Sequence, residues 1–372
     1  MKTQPRILIA IGGGYEGAVT AALLKSQGFD VTGLHLLWSP KAGEVSPFHS
    51  RCRTEPESAG GGQSTVRAVC AKLGIDYVPL EARPYFEEAV ADYFVHEAFL
   101  RRMPSPCVRC NSRVKFRLLI EEADRRGIQG IATGHYAQVI QDQVSGHAFL
   151  RKAVDPAVDQ SHLLFELDQR TLARLQMPLG GIPSTHLQRL ARQLLGSENP
   201  PASAKAESCF VNDPRHVEFL EARIAPGFRP HGPFRTVAGA ILGEHFGFHR
   251  HPLGSIVERL NDSQKKLRYV VTGFDAENSA VLVSAAALPT HTVIHADQAS
   301  WVLPIDGLRL TSCSAWIKNG QPEVACQIIP YDNGALTVML AEPQAGLVPG
   351  QPIVFYDGDT VMGGAWIHRV GN

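Results

Sequence analysis

The sequence lacks an excess of charge of either sign: its 372 residues carry 36 Lys and Arg against 36 Asp and Glu. No global basic field exists, so nucleic-acid binding would rest on a local patch. A long hydrophobic run is also missing. The first apolar stretch, Ile7 to Ile11, is far too short to span a bilayer and carries no cleavage-site pattern. The expectation is a soluble, cytoplasmic protein with no membrane partner. Seven cysteines are too few, and odd in number, for a disulfide framework. Heptads, internal repeats and low-complexity tracts are absent as well. What is present is an ordinary globular composition, 44% hydrophobic and 19% charged, long enough for two or three domains.

The first half alternates strand-like and helix-like segments. Ile7 to Ile11 reads as a buried parallel strand ending at Gly12-Gly13-Gly14. Ala18 to Gln27 has helical spacing, Val31 to Trp38 is the next strand, and Ser39 to Gln63 is a loop rich in Pro, Ser and Gly. Helices are predicted over Thr65–Leu73, Tyr85–Leu100 and Asn111–Arg126, and strands over Asp76–Leu80 and Ile128–Ala132. Such alternation implies an α/β parallel sheet with ligands at the carboxyl ends of its strands. From about Leu288 the pattern changes to six short β-prone runs separated by turn signals such as Asn333-Gly334, which predicts a small closed barrel.

Four segments carry residues suited to chemistry. The turn Gly12-Gly13-Gly14-Tyr15-Glu16-Gly17-Ala18 lets backbone approach a phosphate at a helix N-terminus, though a tight turn without any ligand has the same composition. Glu16 opposes simple phosphate binding unless a metal intervenes. Next, Cys107-Val108-Arg109-Cys110 precedes a predicted helix within a stretch, 101–120, holding six cations and no acid. A thiol placed there is expected to have a lowered pKa, and Arg113 and Arg117 would attract phosphate. Two incidental thiols on a solvated basic helix are the plainer alternative. With the distant Cys209, the pair has the ligand number to hold three irons of a [4Fe–4S] cluster and leave one open. Finally, Thr133-Gly134-His135-Tyr136 ends a strand, and Asp159-Gln160-Ser161-His162 opens an apolar segment. A loop histidine and a helix cap would explain these two equally well.

Taken in order, the Gly-rich turn, Pro-Ser-Pro-Cys-Val-Arg-Cys-Asn, Ala-Thr-Gly-His-Tyr-Ala, Asp-Gln-Ser, Ser-Cys-Phe-Val and Gly-Glu-His-x-Gly resemble the tRNA-specific 2-thiouridylase family. The resemblance runs from Ile7 to the end. It implies an ATP-pyrophosphatase-like α/β domain (1–205), a small central domain (206–287) and a C-terminal β-barrel (288–372). It further implies adenylation of O2 of the tRNA wobble uridine and replacement of that oxygen by persulfide sulfur from a donor protein. By position, Cys110 would carry the sulfur and Cys209 would form a disulfide with it as the sulfur leaves. Gly12, Gly13, Gly14, Glu16 and Gly17 fall on the pyrophosphate loop, Gly134 and His135 on the nucleotide side, and Asp159 and Gln160 would orient the base. Cys107 occupies a position that is Asp or Cys among relatives, and the three-cysteine set Cys107, Cys110 and Cys209 resembles members proposed to bind an iron–sulfur cluster.

The departures are specific. The family's loop reads Ser-Gly-Gly-Val-Asp-Ser-Ser, so all three hydroxyls are gone here and Asp has become Glu16. Each lost charge-assisted hydrogen bond is worth roughly 1.5–3 kcal/mol, which predicts weak binding of ATP and magnesium. The alternative readings are an ATP-independent sulfur-handling protein (thio-base desulfuration or a sulfur relay) and a non-catalytic RNA-binding paralogue.

Overall fold

The computed structural model describes residues 4–38, 62–195, 216–223, 231–236, 238–260, 266–275, 277–285, 288–303, 311–318 and 320–371. Cys209 and most of the Ser39–Gln63 segment lie outside them.

Strands β1 (Arg6–Ala10), β2 (Asp30–Leu37), β3 (Asp76–Glu81) and β4 (Gly130–Thr133) form a parallel sheet, completed beyond β5 (Ala137–Gln141) and β6 (Ala148–Lys152) by β7 (Leu175–Gln176). The order is β3-β2-β1-β4-β7. The chain leaves β1 toward β2 on one side and returns as β4 on the other, so the carboxyl ends of β1 and β4 flank the switch point where open α/β sheets take ligands. Ile7, Leu8 and Ile9 have no solvent exposure, as a strand covered on both faces requires. Helix α1 (Tyr15–Ser26) follows β1 directly and is buried on most of its circumference, between the sheet and the helix Ser184–Leu195.

A second sheet has the order β10-β11-β12-β8-β9, from β8 (Gly232–Thr236), β9 (Ile241–His245), β10 (Ile256–Leu260), β11 (Lys266–Asp275) and β12 (Ala280–Ser284). Its own core contains Phe234, Phe248, Val271 and Val281.

The six-stranded barrel expected at the C-terminal end is present as β13 (Thr290–Trp301), β14 (Thr311–Trp316), β15 (Val324–Pro330), β16 (Leu336–Ala345), β17 (Pro352–Asp357) and β18 (Thr360–Gly371). It closes because β13 pairs with both β16 and β18, which leaves no open edge between them. Period two is legible in β15, where Val324, Cys326 and Ile328 are buried and Ala325 and Gln327 exposed.

The barrel does not stand apart. The hairpin β5–β6 joins it through Thr360 and Arg151, and Val354, Tyr356, Val361 and Trp366 belong to the same apolar core as Leu8, Val108 and Phe116. Strands β17 and β18 of the barrel thus pack against the α/β region through one shared apolar cluster.

Candidate active site

The cysteine segment is helical from Pro106 onward. One turn, Pro106–Arg109, runs into a π-helical turn, Cys110–Lys115, and then into the α-helix Phe116–Arg125. Pro106 suits this start, since its missing N–H would have no partner there. The helix thus begins a turn earlier than the expected Asn111. Neither Asn111 nor Ser112 caps it: Asn111 donates to the Leu163 carbonyl, and the Ser112 hydroxyl meets Val108 O and Glu166.

This corrects the expectation for Cys110. It is not at a free helix N-terminus but buried, 8% exposed, in the second turn. Burial pushes its thiol up to about 11, against the pull of Lys115 and with a small push from Cys107. The resting group is a thiol, not a thiolate. Cys107, one turn earlier and more accessible, lies on the same helix face.

Lys115 connects the thiol to the sheet. Its charge acts on Cys110 and also on His135, in the turn that follows β4. His135 stacks on Phe116 with centroids 5.7 Å apart and shares a 2.9 Å hydrogen bond with Thr133. Its pKa falls to about 3, first through burial and then through Lys115. The helix that carries Cys110 and the Gly134–His135 turn, separated in sequence, meet through the His135–Phe116 stack.

The segment from Asp159 lies between this turn and the barrel. Gln160 Oε1 accepts the Tyr136 N–H at 3.1 Å. Asp159 accepts from Ala153 N and from the Ser161 hydroxyl, both at 2.8 Å. Ser161 continues to Tyr356 of β17, and His162 stacks on Trp316 of β14 at 4.2 Å. Both proposed base-orienting residues are held by the chain itself. The Oδ1 atom of Asn111, next to Cys110, is buried with no hydrogen-bond partner among the described residues.

The cationic patch is less uniform than the sequence stretch implied. Arg109 is committed to Glu166 at 3.1 Å and lies 4.4 Å over the Trp366 ring. Arg117 pairs with Glu121 at 2.9 Å. Arg113 is exposed, so the carboxylates missing from 101–120 arrive from neighbouring segments while Arg113 faces solvent. Glu166 and Trp366 had no motif to mark them; only the fold brings them to the cysteine helix.

The glycine loop sits at the carboxyl end of β1 as expected, and Gly134 packs directly on it. A Cβ on Gly134 would lie 2.9 Å from the Glu16 carbonyl carbon. Beside Gly14 the loop is occupied by its own carboxylate, which opposes a pyrophosphate there, whereas the space beside Gly12 is open. Glu16 is 8% exposed, and its Oε2 stands 2.5 Å from where a Cβ of Gly14 would be. For an iron–sulfur cluster, no group of three or more His, Cys, Asp or Glu stands together among the described residues, and the third thiol, Cys209, lies outside them.

Comparisons with known proteins agree with this architecture. A family model described as the tRNA methyl transferase HUP domain matches residues 5–213, and one described as the aminomethyltransferase beta-barrel domain matches residues 291–367. The tRNA-specific 2-thiouridylase MnmA of Desulforamulus reducens is 34% identical over 376 residues, covering 99% of this chain and 98% of its own. The protein of the same name from Geobacter metallireducens is 34% identical over 370 residues, covering 98% of this chain and 97% of its own. The chain belongs to the tRNA-specific 2-thiouridylase family.

Proposed function

We propose that the protein is a tRNA sulfurtransferase that thiolates the wobble uridine, with Cys110 as the sulfur carrier. The observation that supports this reading is the stacking of His135, in the turn after β4, on Phe116 of the cysteine helix at 5.7 Å. That contact supports a reading in which the helix carrying Cys110 serves the ligand edge of the parallel sheet.

In this reading a sulfur-donor protein transfers a sulfane sulfur to Cys110, forming Cys110–S–SH. The terminal sulfur bonds to C2 of the uridine, and the displaced O2 takes one proton from the persulfide and one from the Cys209 thiol and leaves as water. The Cys209 thiolate then attacks Cys110 Sγ, which breaks the persulfide S–S bond, leaves the sulfur on the base and creates a Cys110–Cys209 disulfide. An external thiol reduces that disulfide. Arg113 would contact the tRNA backbone, with Arg117 a lesser contributor. Asp159 and Gln160 hold the loop that meets the base, and Asn111 Oδ1 is an acceptor for a substrate N–H. The nucleotide side is Gly12–Gly17 with Gly134 and His135, and no step here is assigned to ATP or magnesium. The chemistry uses Cys107 as a neighbour of the carrier and invokes no cluster. We place the protein in the cytoplasm, with tRNA and the sulfur donor. Among the described residues no helix is long and apolar enough to cross a membrane.

The test is expression in a host deleted for its own 2-thiouridylase, with nucleosides of bulk tRNA quantified by mass spectrometry. Recovery of 2-thiouridine by the wild type and its loss in Cys110→Ala are the expected results. Unthiolated tRNA with soluble, folded wild-type protein would refute the proposal.

A further inference from the structure

We propose that Glu16 is an internal plug of the glycine loop, so that a pyrophosphate reaches the N-terminus of α1 only by displacing this carboxylate. Helix α1 opens at Gly14, whose backbone is extended and whose position offers no side-chain cap. The first amides of the helix are therefore the anion-seeking end of a twelve-residue dipole. The Glu16 side chain folds back over that end. Its Oε2 lies 2.5 Å from the position a Gly14 Cβ would take, and its Oε1 accepts from the Tyr136 hydroxyl at 3.4 Å. Both Glu16 and Tyr136 are more than nine-tenths buried. The chain thus supplies its own anion where the fold would receive a foreign one.

Two further features make the plug hard to evade. A pyrophosphate entering beside it would bring like charge against a carboxylate shielded from water, where repulsion is least screened. The backbone cannot step aside toward β4, because Gly134 already stands against Glu16 and Gly17, with Cβ distances of 2.9 and 3.0 Å. Release must come from rotation of the Glu16 side chain. The hydroxyls that would compensate are absent, since the positions are Gly12, Gly17 and Ala18.

The experiment is titration calorimetry on the full-length, RNA-free protein with magnesium–ATP and, separately, inorganic pyrophosphate. Binding is read without sulfur transfer, so the result is independent of the function proposed above. The wild type is expected to show no saturable binding below millimolar ligand. Glu16→Ala and the near-isosteric Glu16→Gln are each expected to bind at least tenfold more tightly, with unfolding midpoints that confirm an intact fold. Micromolar binding by the wild type would overturn the proposal. So would folded Glu16→Gln protein that gains nothing, because the loop would then exclude pyrophosphate for reasons other than this carboxylate.

Discussion

The Arg109 guanidinium lies 3.1 Å from the Glu166 carboxylate, with both side chains largely buried. The same carboxylate oxygen accepts the Trp366 indole N–H at 3.0 Å, and the other takes the Ser112 hydroxyl at 2.6 Å. The residue before Cys110 is thereby tied to the last barrel strand. Removing one partner strands a buried charge, so Glu166→Ala should destabilise the protein by about 3–5 kcal/mol, read from urea unfolding. An Arg109→Met, Glu166→Leu double variant should recover most of that loss. Equal destabilisation of the double variant would show that the pair itself matters little.

Cys110 should react slowly with iodoacetamide. A thiol held at about 11 carries on the order of 10²-fold less thiolate at neutral pH than an ordinary cysteine of pKa about 8.5. The sign is set by burial: alkylation should rise about tenfold per pH unit through the alkaline range. Lys115→Ala should slow it further, since Lys115 pulls the thiol pKa down. Peptide-resolved mass spectrometry distinguishes Cys110 from the other thiols. A rate that levels off near pH 7 would contradict the buried-thiol account.

His135 should make stability fall in acid. Its folded pKa, about 3, lies below the unbound value of 6.5. Its contribution is therefore complete above about pH 6.5 and is lost as the pH falls from there toward 3. His135→Gln should narrow the difference in unfolding free energy between pH 7 and pH 4.5. An unchanged difference would mean that the ring is protonated at no cost in the fold.

Arg113→Glu should weaken tRNA binding at low salt and reduce the slope of log affinity against log salt by about one. Arg117→Glu should have a smaller effect, because Glu121 already pairs with that guanidinium. Filter binding across a salt series checks both. Equal affinity of wild type and Arg113→Glu would place the RNA elsewhere.

Much of the fold was legible because local patterns were strong. The buried runs Ile7–Ile9 and Ile131–Ala132, the glycine turn and the alternating barrel strands follow one physical period each. What was not legible depends on distant segments. The helix was expected from Asn111, yet Pro106 opens it, and that displacement converts an expected activated thiolate into a buried thiol. The acid-free stretch 101–120 suggested an open cationic face, yet Glu166 arrives from 57 residues away. Nothing in the local sequence of β5 and β6 announced that Arg151 would pair with Thr360 of the barrel. Glu16 was visible as an odd residue in the loop. Its position over Gly14 came only with the packing of Tyr136 and Gly134.

The most direct test of sulfur transfer starts from protein whose Cys110 has been loaded with ³⁵S by a sulfur-donor protein and freed of donor. Unlabelled tRNA and magnesium–ATP are added, and the nucleosides are separated after digestion. The account predicts that label leaves Cys110 and appears in 2-thiouridine, together with a Cys110–Cys209 disulfide, and that Cys110→Ser transfers none. Label that stays on the wild-type protein, or reaches tRNA equally well from Cys110→Ser, would contradict it.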